Sequence, residues 1–366
     1  MKIVMIGQKG IPASFGGIER HVEEISHRLV QRGHDVTVLS RYWYTKSVAK
    51  EYRGVKIKLI PSIHTKHLDA ISHTFLSTLA AMRDDADVIH YHGVGPALLC
   101  WIPRIFKPRA KVVTTFHCID RKHKKWGWFA RWCLTFGEWC AVNFSHTTIT
   151  VSETLRSYCA LHYNKKTLFI PNGFAPKAHD HDDRVLASHR LAPKQYILAV
   201  SRFIRHKGLH YLIEAFSRTD TPMKLAIAGD GYFSDEYASE IRSMAKKDDR
   251  IILLGTQDQD SLSALYKNAY LMVHPSESEG LPLVVLEALG YGSAVLGSDI
   301  PEIREIIHDP NFLFKSRDTA DLKARIEALL QDPQRVSRCG QAGALFVREQ
   351  YNWDVIVDMI LASAYA

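Results

Sequence analysis

Three short segments of the chain combine residue types that suit the binding of an anionic ligand. The first is Gly16-Gly17, which follows an apolar run at Lys2 to Ile6 and opens a helical pattern. Glycines allow close approach of a backbone, and the start of a helix offers free N–H groups and the positive end of its dipole. The pair predicts an anion-binding turn, with a plain flexible loop as the alternative. The dinucleotide fingerprint G-x-G-x-x-G is absent from this segment.

The second segment, Ser201 to Gly208, places Arg202 and Lys207 after an apolar strand and before a helix. Two cations at the carboxyl end of a strand, beside a helix N-terminus, would offset the two charges of a diphosphate. In isolation, a solvated basic turn explains the same residues. The interpretation therefore depends on the other segments.

The third segment contains Glu279 and Glu287, with Gly280 and Pro282 between them as residues suited to a tight turn and a helix start. Eight residues at helical rise would put the two carboxylates about 12 Å apart. Paired carboxylates of a glycosidase lie about 5 to 9.5 Å apart, so the spacing excludes that pair. It suits two groups at opposite ends of a nucleotide diphosphate sugar. For either glutamate alone, helix capping or an ion pair is the simpler explanation.

Short strands rich in β-branched residues must position these segments, and they alternate with helical patterns as in βαβ units around parallel sheets. The predicted strands are Lys2–Ile6, Asp35–Leu39, Val55–Ile60, Val88–His90, Lys111–Phe116, Thr147–Val151, Thr167–Ile170, Tyr196–Ser201, Lys224–Ala228, Ile251–Leu254, Leu271–His274 and Ser293–Leu296. At 366 residues the chain is too long for one core. The polar segment from Ala175 to His189 predicts a linker between two domains.

Together the three segments resemble the retaining, nucleotide-sugar-dependent glycosyltransferases of the GT-B fold, known as glycosyltransferase group 1 or family four. The resemblance implies an α/β fold of two doubly wound, Rossmann-like domains that face each other across a cleft. Residues 1–177 would form the acceptor-side domain and residues 178–350 the nucleotide-sugar-binding domain, while a C-terminal helix at about 352–366 would pack back on the first. The opening residues look most like bacterial enzymes that build rhamnose-containing and other surface polysaccharides.

The resemblance also assigns roles to single residues. Arg202 and Lys207 match the diphosphate pair of the family, and Glu279 and Glu287 match its E-x7-E motif, whose members contact the donor sugar and the ribose hydroxyls. His117 matches a histidine that reaches the donor sugar or its phosphate. The resemblance thus implies a catalytic set of His117, Glu279, Arg202 and Lys207. The donor-binding set is Gly16, Gly17, Gly229, Asp230, Gly231, Gly280, Leu281, Leu283 and Glu287.

A retaining transferase breaks the bond between sugar and nucleotide diphosphate and delivers the acceptor hydroxyl to the same face. We expect Arg202 and Lys207 to stabilise the departing diphosphate, so that no metal is required. The sequence shows no ligand cluster of convincing metal spacing. We expect a UDP-, GDP- or dTDP-linked hexose as donor, no further cofactor, and a lipid-linked or oligosaccharide acceptor. A nucleotide-sugar epimerase on the same fold is the alternative.

The charge of the chain is unevenly divided. Residues 1–177 hold 26 lysines and arginines against 12 acidic residues, a net charge of +14, and the remainder carries −6. This surplus predicts an anionic membrane surface, a nucleic acid or a phosphorylated acceptor as partner. Without zinc-finger spacing, an RRM-like motif or a basic tail, we expect no nucleic acid. The lack of a signal peptide or a long apolar run predicts a cytoplasmic protein, peripheral at the inner face of the cytoplasmic membrane.

A basic and aromatic segment, Arg121 to Phe144, directly follows the His117 region. Its cations are Arg121, Lys122, Lys124, Lys125 and Arg131, and its large rings are Trp126, Trp128, Phe129, Trp132, Phe136 and Trp139. Cations beside aromatic rings at helical spacing describe a helix that lies on anionic headgroups. A helix that packs these rings into the core and leaves the cations in solvent explains the pattern equally well.

Overall fold

The computed structural model describes residues 1–45, 50–65, 68–122, 127–176, 182–231 and 235–366. These residues form two compact units. Unit 1 consists of Met1–Asn172 and Trp353–Ala366, and unit 2 consists of Gly173–Asn352. The predicted boundary at residue 177 falls outside the described residues.

Unit 1 contains a sheet of eight strands. They are β1 (Lys2–Ile6), β2 (Asp35–Arg41), β3 (Glu51–Tyr52), β4 (Val55–Ile60), β5 (Val88–His92), β6 (Lys111–Phe116), β7 (Thr147–Thr150) and β8 (Leu168–Phe169). Their order across the sheet is β3-β4-β2-β1-β5-β6-β7-β8, and every pair is parallel except β3 with β4. The chain order reverses between β1 and β5, which makes this pair the switch point of the sheet.

Helices connect these strands. They are α1 (Gly17–Gln31), α2 (Asp69–Met82), α3 (Val94–Ala97), α4 (Trp101–Phe106), α5 (Trp128–Phe144) and α6 (Glu153–Tyr163). All five residues of β5 are buried, as expected for a central parallel strand with both faces covered.

Unit 2 contains a six-stranded parallel sheet in the order β11-β10-β9-β12-β13-β14. The strands are β9 (Tyr196–Val200), β10 (Lys224–Ala228), β11 (Ile251–Gly255), β12 (Leu271–His274), β13 (Val295–Ser298) and β14 (Leu313–Phe314). The helices are α7 (Asp182–Ser188), α8 (Leu209–Ser217), α9 (Asp235–Ala245), α10 (Gln259–Asn268), α11 (Leu283–Gly290), α12 (Pro301–Arg304), α13 (Thr319–Leu330) and α14 (Pro333–Gln350). Here the switch point lies between β9 and β12.

The C-terminal residues return to unit 1. Helix α15 (Trp353–Met359) contacts α1, and a π-helical segment, Ile360–Tyr365, follows it. Arg32 donates from Nε to Asp358 at 2.6 Å, and the Tyr365 hydroxyl lies 2.7 Å from Nδ1 of the buried His90. These contacts fix the last helix to the first unit.

Both sheets are doubly wound and parallel, apart from the short antiparallel edge strand β3, so the predicted Rossmann-like architecture of each half is confirmed. One detail of the sequence interpretation is wrong. The segment Ala175–His189 is not linker throughout, because Asp182–Ser188 form helix α7 and Leu186 is buried. Residues 177–181 of that segment lie outside the described part of the chain.

Candidate active site

Two loops of unit 2 meet at the carboxyl ends of the switch strands β9 and β12. Gly208, which ends the loop after β9, has a φ of +68°, and a Cβ at this position would lie 2.0 Å from the Pro275 carbonyl oxygen. The backbone N–H of Glu277 donates to the His206 carbonyl at 2.7 Å. Glycine at position 208 therefore permits a close approach that brings the predicted cation segment and the predicted acidic segment together.

Lys207 and Glu279 form a part-buried ion pair in this place. Lys207 Nζ lies 2.5 Å from Glu279 Oε1, and His274 Nε2 lies 2.7 Å from the same oxygen. Burial alone raises the pKa of the Glu279 carboxyl, but the charge of Lys207 and the hydrogen bond from His274 outweigh it. The pKa therefore lies well below its ordinary value and the carboxylate is ionised. His274, the last residue of β12, is a member that sequence reasoning missed.

Arg202 differs from Lys207 in its surroundings. Its side chain is exposed, and among the described residues none forms an ion pair or hydrogen bond with the guanidinium. The two cations predicted to bind diphosphate thus lie in the same loop, but only Arg202 presents its charge to solvent. Lys207 has its charge balanced by Glu279.

Glu287 serves the packing of unit 2. Helix α11 begins at Leu283 with Pro282 as its N-cap, so Glu279 lies on the preceding loop and the 12 Å estimate for two helical glutamates does not apply. Glu287 is buried and accepts hydrogen bonds from Gln259 Nε2 at 3.2 Å and from the Tyr266 hydroxyl at 3.3 Å. These bonds connect α10 to α11.

The other donor-binding residues predicted in unit 2 occupy the turns around these strands. Gly280, Leu281 and Leu283 are buried between β12 and α11. Gly229 follows β10 with a φ of +127°, and a Cβ there would lie 1.9 Å from the Ser201 carbonyl oxygen.

Asp230 is exposed in the turn that follows. One carboxylate oxygen accepts from the Gly231 N–H at 2.7 Å and from Arg242 at 2.5 Å. These two contacts hold the predicted donor-binding turn at the carboxyl end of β10.

In unit 1, the predicted anion-binding turn holds a carboxylate of the chain itself. Gly16 is the N-cap of α1 with a φ of +105°, and a Cβ there would lie 1.9 Å from Glu19 Oε2. The backbone N–H of Lys9 donates to Glu19 Oε1 at 3.0 Å, and Lys9 Nζ lies 3.4 Å from that oxygen. Burial raises the pKa of Glu19, but the charges of Lys9 and Arg41 together with backbone hydrogen bonds outweigh it, so the net direction is down. The turn that begins with Gly16 and Gly17 is therefore shaped around an internal anion.

His117 belongs to a buried group of imidazoles at the carboxyl ends of the switch strands. Its Nε2 lies 3.4 Å from Nδ1 of His92, the last residue of β5, and its ring meets that of His21 edge-on at 4.8 Å. Burial lowers the pKa of His21 to about 4 and holds those of His92 and His117 well below their ordinary values. All three rings are therefore neutral at pH 7.

The hydrogen bonds of these rings fix which nitrogens carry lone pairs. His21 Nδ1 lies 2.9 Å from the Asn172 side-chain oxygen, an acceptor, so Nδ1 carries the proton. His21 Nε2 then has a lone pair, and it is buried with no hydrogen-bond partner among the described residues. The neutral His21 ring thus offers an acceptor nitrogen to a ligand.

Ligand nitrogens of His21, His92 and His117 lie within 4.8 Å of one another, which makes them the one group in the described part of the chain that could hold a metal ion. In a tetrahedral zinc site these nitrogens would be about 3.3 Å apart. The three rings would have to move closer to one another to reach that geometry. His90 and His92 alternate along β5, but no spacing in the sequence predicts that His21 joins them.

Comparison with known protein families gives a match in each half of the chain. Residues 15–177 match the model of the Glycosyltransferase Family 4 domain, and residues 184–346 match the model of Glycosyl transferases group 1. The chain carries both of these glycosyltransferase domains. Unit 1 contains the family 4 domain and unit 2 the group 1 domain, and the protein is a glycosyltransferase.

Relatives of this glycosyltransferase are distant and diverse. The O-antigen chain mannosyltransferase C of Escherichia coli is 24% identical over 374 residues, covering 98% of this chain and 96% of the relative. The structure of HepE from Anabaena in complex with UDP and glucose matches 100% of this chain and 99% of its own at a TM-score of 0.83 and 19% identity. WaaG, a glycosyltransferase involved in lipopolysaccharide biosynthesis, matches 99% of this chain and 100% of its own at a TM-score of 0.77 and 16% identity. The structural likenesses establish the GT-B type of fold.

Proposed function

We propose that this glycosyltransferase is a retaining hexosyltransferase that uses a nucleotide diphosphate sugar as donor. The observation that carries the proposal is the part-buried Lys207–Glu279–His274 network at the switch strands of the group 1 domain, with the exposed Arg202 in the same loop as Lys207. The presence of UDP and glucose in the related HepE structure supports this donor class. A UDP-, GDP- or dTDP-linked hexose fits the proposal.

In the proposed reaction, the bond between the anomeric carbon and the diphosphate oxygen breaks. The acceptor oxygen bonds to the same carbon on the same face, and its proton passes to the departing phosphate oxygen. Arg202 stabilises the charge that develops on the leaving group. Lys207 turns from Glu279 to the diphosphate, and the Glu279 carboxylate then accepts hydrogen bonds from hydroxyls of the donor sugar.

The remaining predicted contacts are part of the same proposal. Glu287 would accept hydrogen bonds from the ribose hydroxyls. The Gly229-Asp230-Gly231 turn would adjoin the base, and backbone groups near Gly280, Leu281 and Leu283 would line the donor. His117, together with the turn at Gly16 and Gly17, would contact the transferred sugar or its phosphate.

We propose that the reaction needs no metal, because Arg202 and Lys207 supply the positive charge that the leaving diphosphate requires. Dialysis against EDTA should leave the turnover of the purified enzyme unchanged. Release of nucleotide diphosphate, measured with and without added Mg²⁺ or Mn²⁺, checks this expectation. Loss of turnover that a divalent ion restores would contradict metal independence without contradicting the transfer itself.

The acceptor that we propose is a lipid-linked sugar or oligosaccharide in the synthesis of bacterial surface polysaccharide. Two of the similar proteins, an O-antigen chain mannosyltransferase and a glycosyltransferase involved in lipopolysaccharide biosynthesis, support this role. A membrane-bound acceptor would place the enzyme at the inner face of the cytoplasmic membrane as a peripheral protein. In the described part of the chain, no helix has the length and apolarity that crossing a bilayer demands.

A panel of nucleotide sugars tests the donor, because a ligand that binds the native state raises the temperature of unfolding. Release of nucleotide diphosphate only when an acceptor is present would support transfer, whereas conversion of the donor sugar without an acceptor would identify an epimerase. The anomeric configuration of the product, read by NMR, tests retention. An inverted product would overturn the retaining mechanism.

Glu279→Gln tests the centre of the site. The variant keeps the shape of the side chain and removes the charge, so we expect kcat to fall by more than the affinity for the bare nucleotide. Glu240→Gln, which changes an exposed carboxylate of the same unit, serves as control. Equal losses of kcat and nucleotide affinity in Glu279→Gln would indicate a purely structural glutamate.

A further inference from the structure

Helix α5 presents a row of large aromatic side chains to solvent. Trp128 is 82% exposed and Trp132 is 62% exposed, and Phe129, Phe136 and Trp139 are exposed as well. The rings of Phe129, Trp132, Phe136 and Trp139 stack in sequence, with centroid separations of 6.3, 6.1 and 5.5 Å. The core-facing alternative for these rings is therefore wrong. Lys124, Lys125 and Trp126 lie outside the described residues.

Two neighbouring helices of unit 1 continue this apolar surface. Helix α4 contacts α5 and exposes Ile105 and Phe106. Helix α2 contacts α4 and exposes Ile71, Phe75 and Leu79, which lie on one face at spacings of four residues. We call the exposed side chains of α2, α4 and α5 the aromatic face. A monomeric soluble protein rarely exposes so many large apolar side chains on neighbouring helices without a partner for them.

The charged residues of the three helices are divided by sign between the interior and the surface. Their two acidic residues, Asp69 and Glu138, both point inward and are buried. Asp69 pairs with Arg41 at 2.6 Å, and Glu138 pairs with Arg121 at 3.2 Å and accepts from the Tyr158 hydroxyl. The charged side chains that these helices expose are Arg104 and Arg131. The aromatic face thus combines large rings with positive charge and carries no exposed carboxylate.

We propose that the aromatic face is a membrane-docking surface that inserts its rings at the boundary of the acyl chains of an anionic bilayer. Tryptophan is the residue type best suited to that boundary, and arginine beside it pairs with anionic headgroups. The residues of unit 1 hold 25 lysines and arginines against 14 acids, so a second copy of this face would meet its own positive charge. An anionic lipid surface complements both the rings and the charge. The inference rests on the proposed lipid-linked acceptor, which would be presented at such a surface.

Vesicle flotation tests the docking surface directly. The purified full chain is mixed with vesicles of phosphatidylcholine alone or of phosphatidylcholine with phosphatidylglycerol. We expect flotation with the anionic vesicles and a blue shift of tryptophan emission on binding. In the double variant Trp128→Ala, Trp132→Ala, partitioning should fall by about tenfold or more, because both rings lose the apolar area that they would bury in lipid.

Leu161→Ala is the matched control. Leu161 is also 82% exposed in unit 1, but it lies on α6, outside the aromatic face. This variant should float like the wild type, and Phe106→Ala and Phe75→Ala should show whether α4 and α2 belong to the surface. No flotation of the wild type with anionic vesicles, or an equal loss in Leu161→Ala, would overturn the proposal. So would a dimer of the wild type that dissociates in the tryptophan variant without any binding to vesicles.

Activity toward a short acceptor without a lipid separates this inference from the proposed function. The tryptophan variant should retain wild-type turnover with such an acceptor in the absence of vesicles, because neither tryptophan belongs to the predicted catalytic or donor-binding set. Normal turnover without flotation would contradict the docking surface and would not contradict the proposed transferase activity. Flotation without acceptor-dependent release of nucleotide diphosphate would support the docking surface and contradict the proposed function.

Discussion

Lys207 balances a carboxylate that lies inside unit 2. Its replacement by alanine leaves the Glu279 charge with His274 as the remaining partner, and an uncompensated buried charge costs about 3 kcal/mol. We expect Lys207→Ala to lower the free energy of unfolding by about this amount and to lower kcat, measured by urea denaturation and by nucleotide release. The control is Arg205→Ala, two residues before Lys207, which removes an exposed cation that pairs with Glu240. This variant should change the free energy of unfolding and kcat little. Similar stability losses in both variants would contradict the structural role of the pair.

Arg202→Ala removes a positive charge that, unlike that of Lys207, forms no ion pair with the described residues. The side chain is exposed, so the free energy of unfolding should stay within about 0.5 kcal/mol of the wild type. Turnover should nevertheless fall by about a hundredfold, which is the usual effect of removing one group that stabilises developing charge. Arg205→Ala is again the control, because it is a cation of the same loop. A wild-type kcat in Arg202→Ala would remove this residue from the proposed leaving-group site.

The members of the candidate site were predictable where one short segment contains them. Arg202, Lys207, Glu279 and Glu287 stand in two recognisable segments, and the structure brings Lys207 and Glu279 into contact. The sequence could not show that His21 and Asn172 meet, because their contact joins residues that are 151 positions apart. It also could not show that Glu19 fills the turn at Gly16, since that depends on how the α1 side chains pack.

Elements were predictable where a run of β-branched residues is long enough to have a period. Lys111–Phe116 and Leu271–His274 form strands with the bounds that the sequence indicates. The two-residue strands Glu51–Tyr52 and Leu313–Phe314 carry no such period, and they form only because a neighbouring strand offers hydrogen bonds. The sequence did not predict helix α7, because the segment that contains it has a polar composition typical of a linker.

The turn after β10 is the element on which a backbone prediction can be made. At Gly229, a φ of +127° excludes most side chains, and a Cβ would collide with the Ser201 carbonyl. We expect Gly229→Ala to lower the free energy of unfolding by about 1–3 kcal/mol more than Gly292→Ala does. Gly292 has a φ of +85° but open space around its Cβ position, so it isolates the cost of the dihedral angle. Urea denaturation measures both, and equal costs would show that the turn relaxes.

At the scale of the whole molecule, the two units differ in the groups that titrate. Unit 1 buries His21, His90, His92 and His117 as neutral rings, with pKa values that burial lowers. Unit 2 buries the ionised Glu279, whose pKa is also lowered but from a value of 4.5. All seven tryptophans of the chain belong to unit 1, so tryptophan emission reports the unfolding of that unit alone.

Acidification from pH 7.5 to pH 5 should therefore destabilise unit 1 first. The unfolded chain binds a proton at His21 below its ordinary pKa of 6.5, whereas the folded chain does so only near pH 4, so stability falls as the pH falls through this window. His21 alone contributes about 1.4 kcal/mol per pH unit below pH 6.5, about 2 kcal/mol by pH 5, and the three other rings act in the same direction. Urea midpoints followed by tryptophan emission should drop steeply, and His21→Gln should reduce the slope by one proton. The stability that the ionised Glu279 contributes declines only below about pH 4.5, where the carboxylate of the unfolded chain begins to bind protons. A midpoint that stays constant between pH 7.5 and pH 5 would contradict the neutral, buried state of the histidine group.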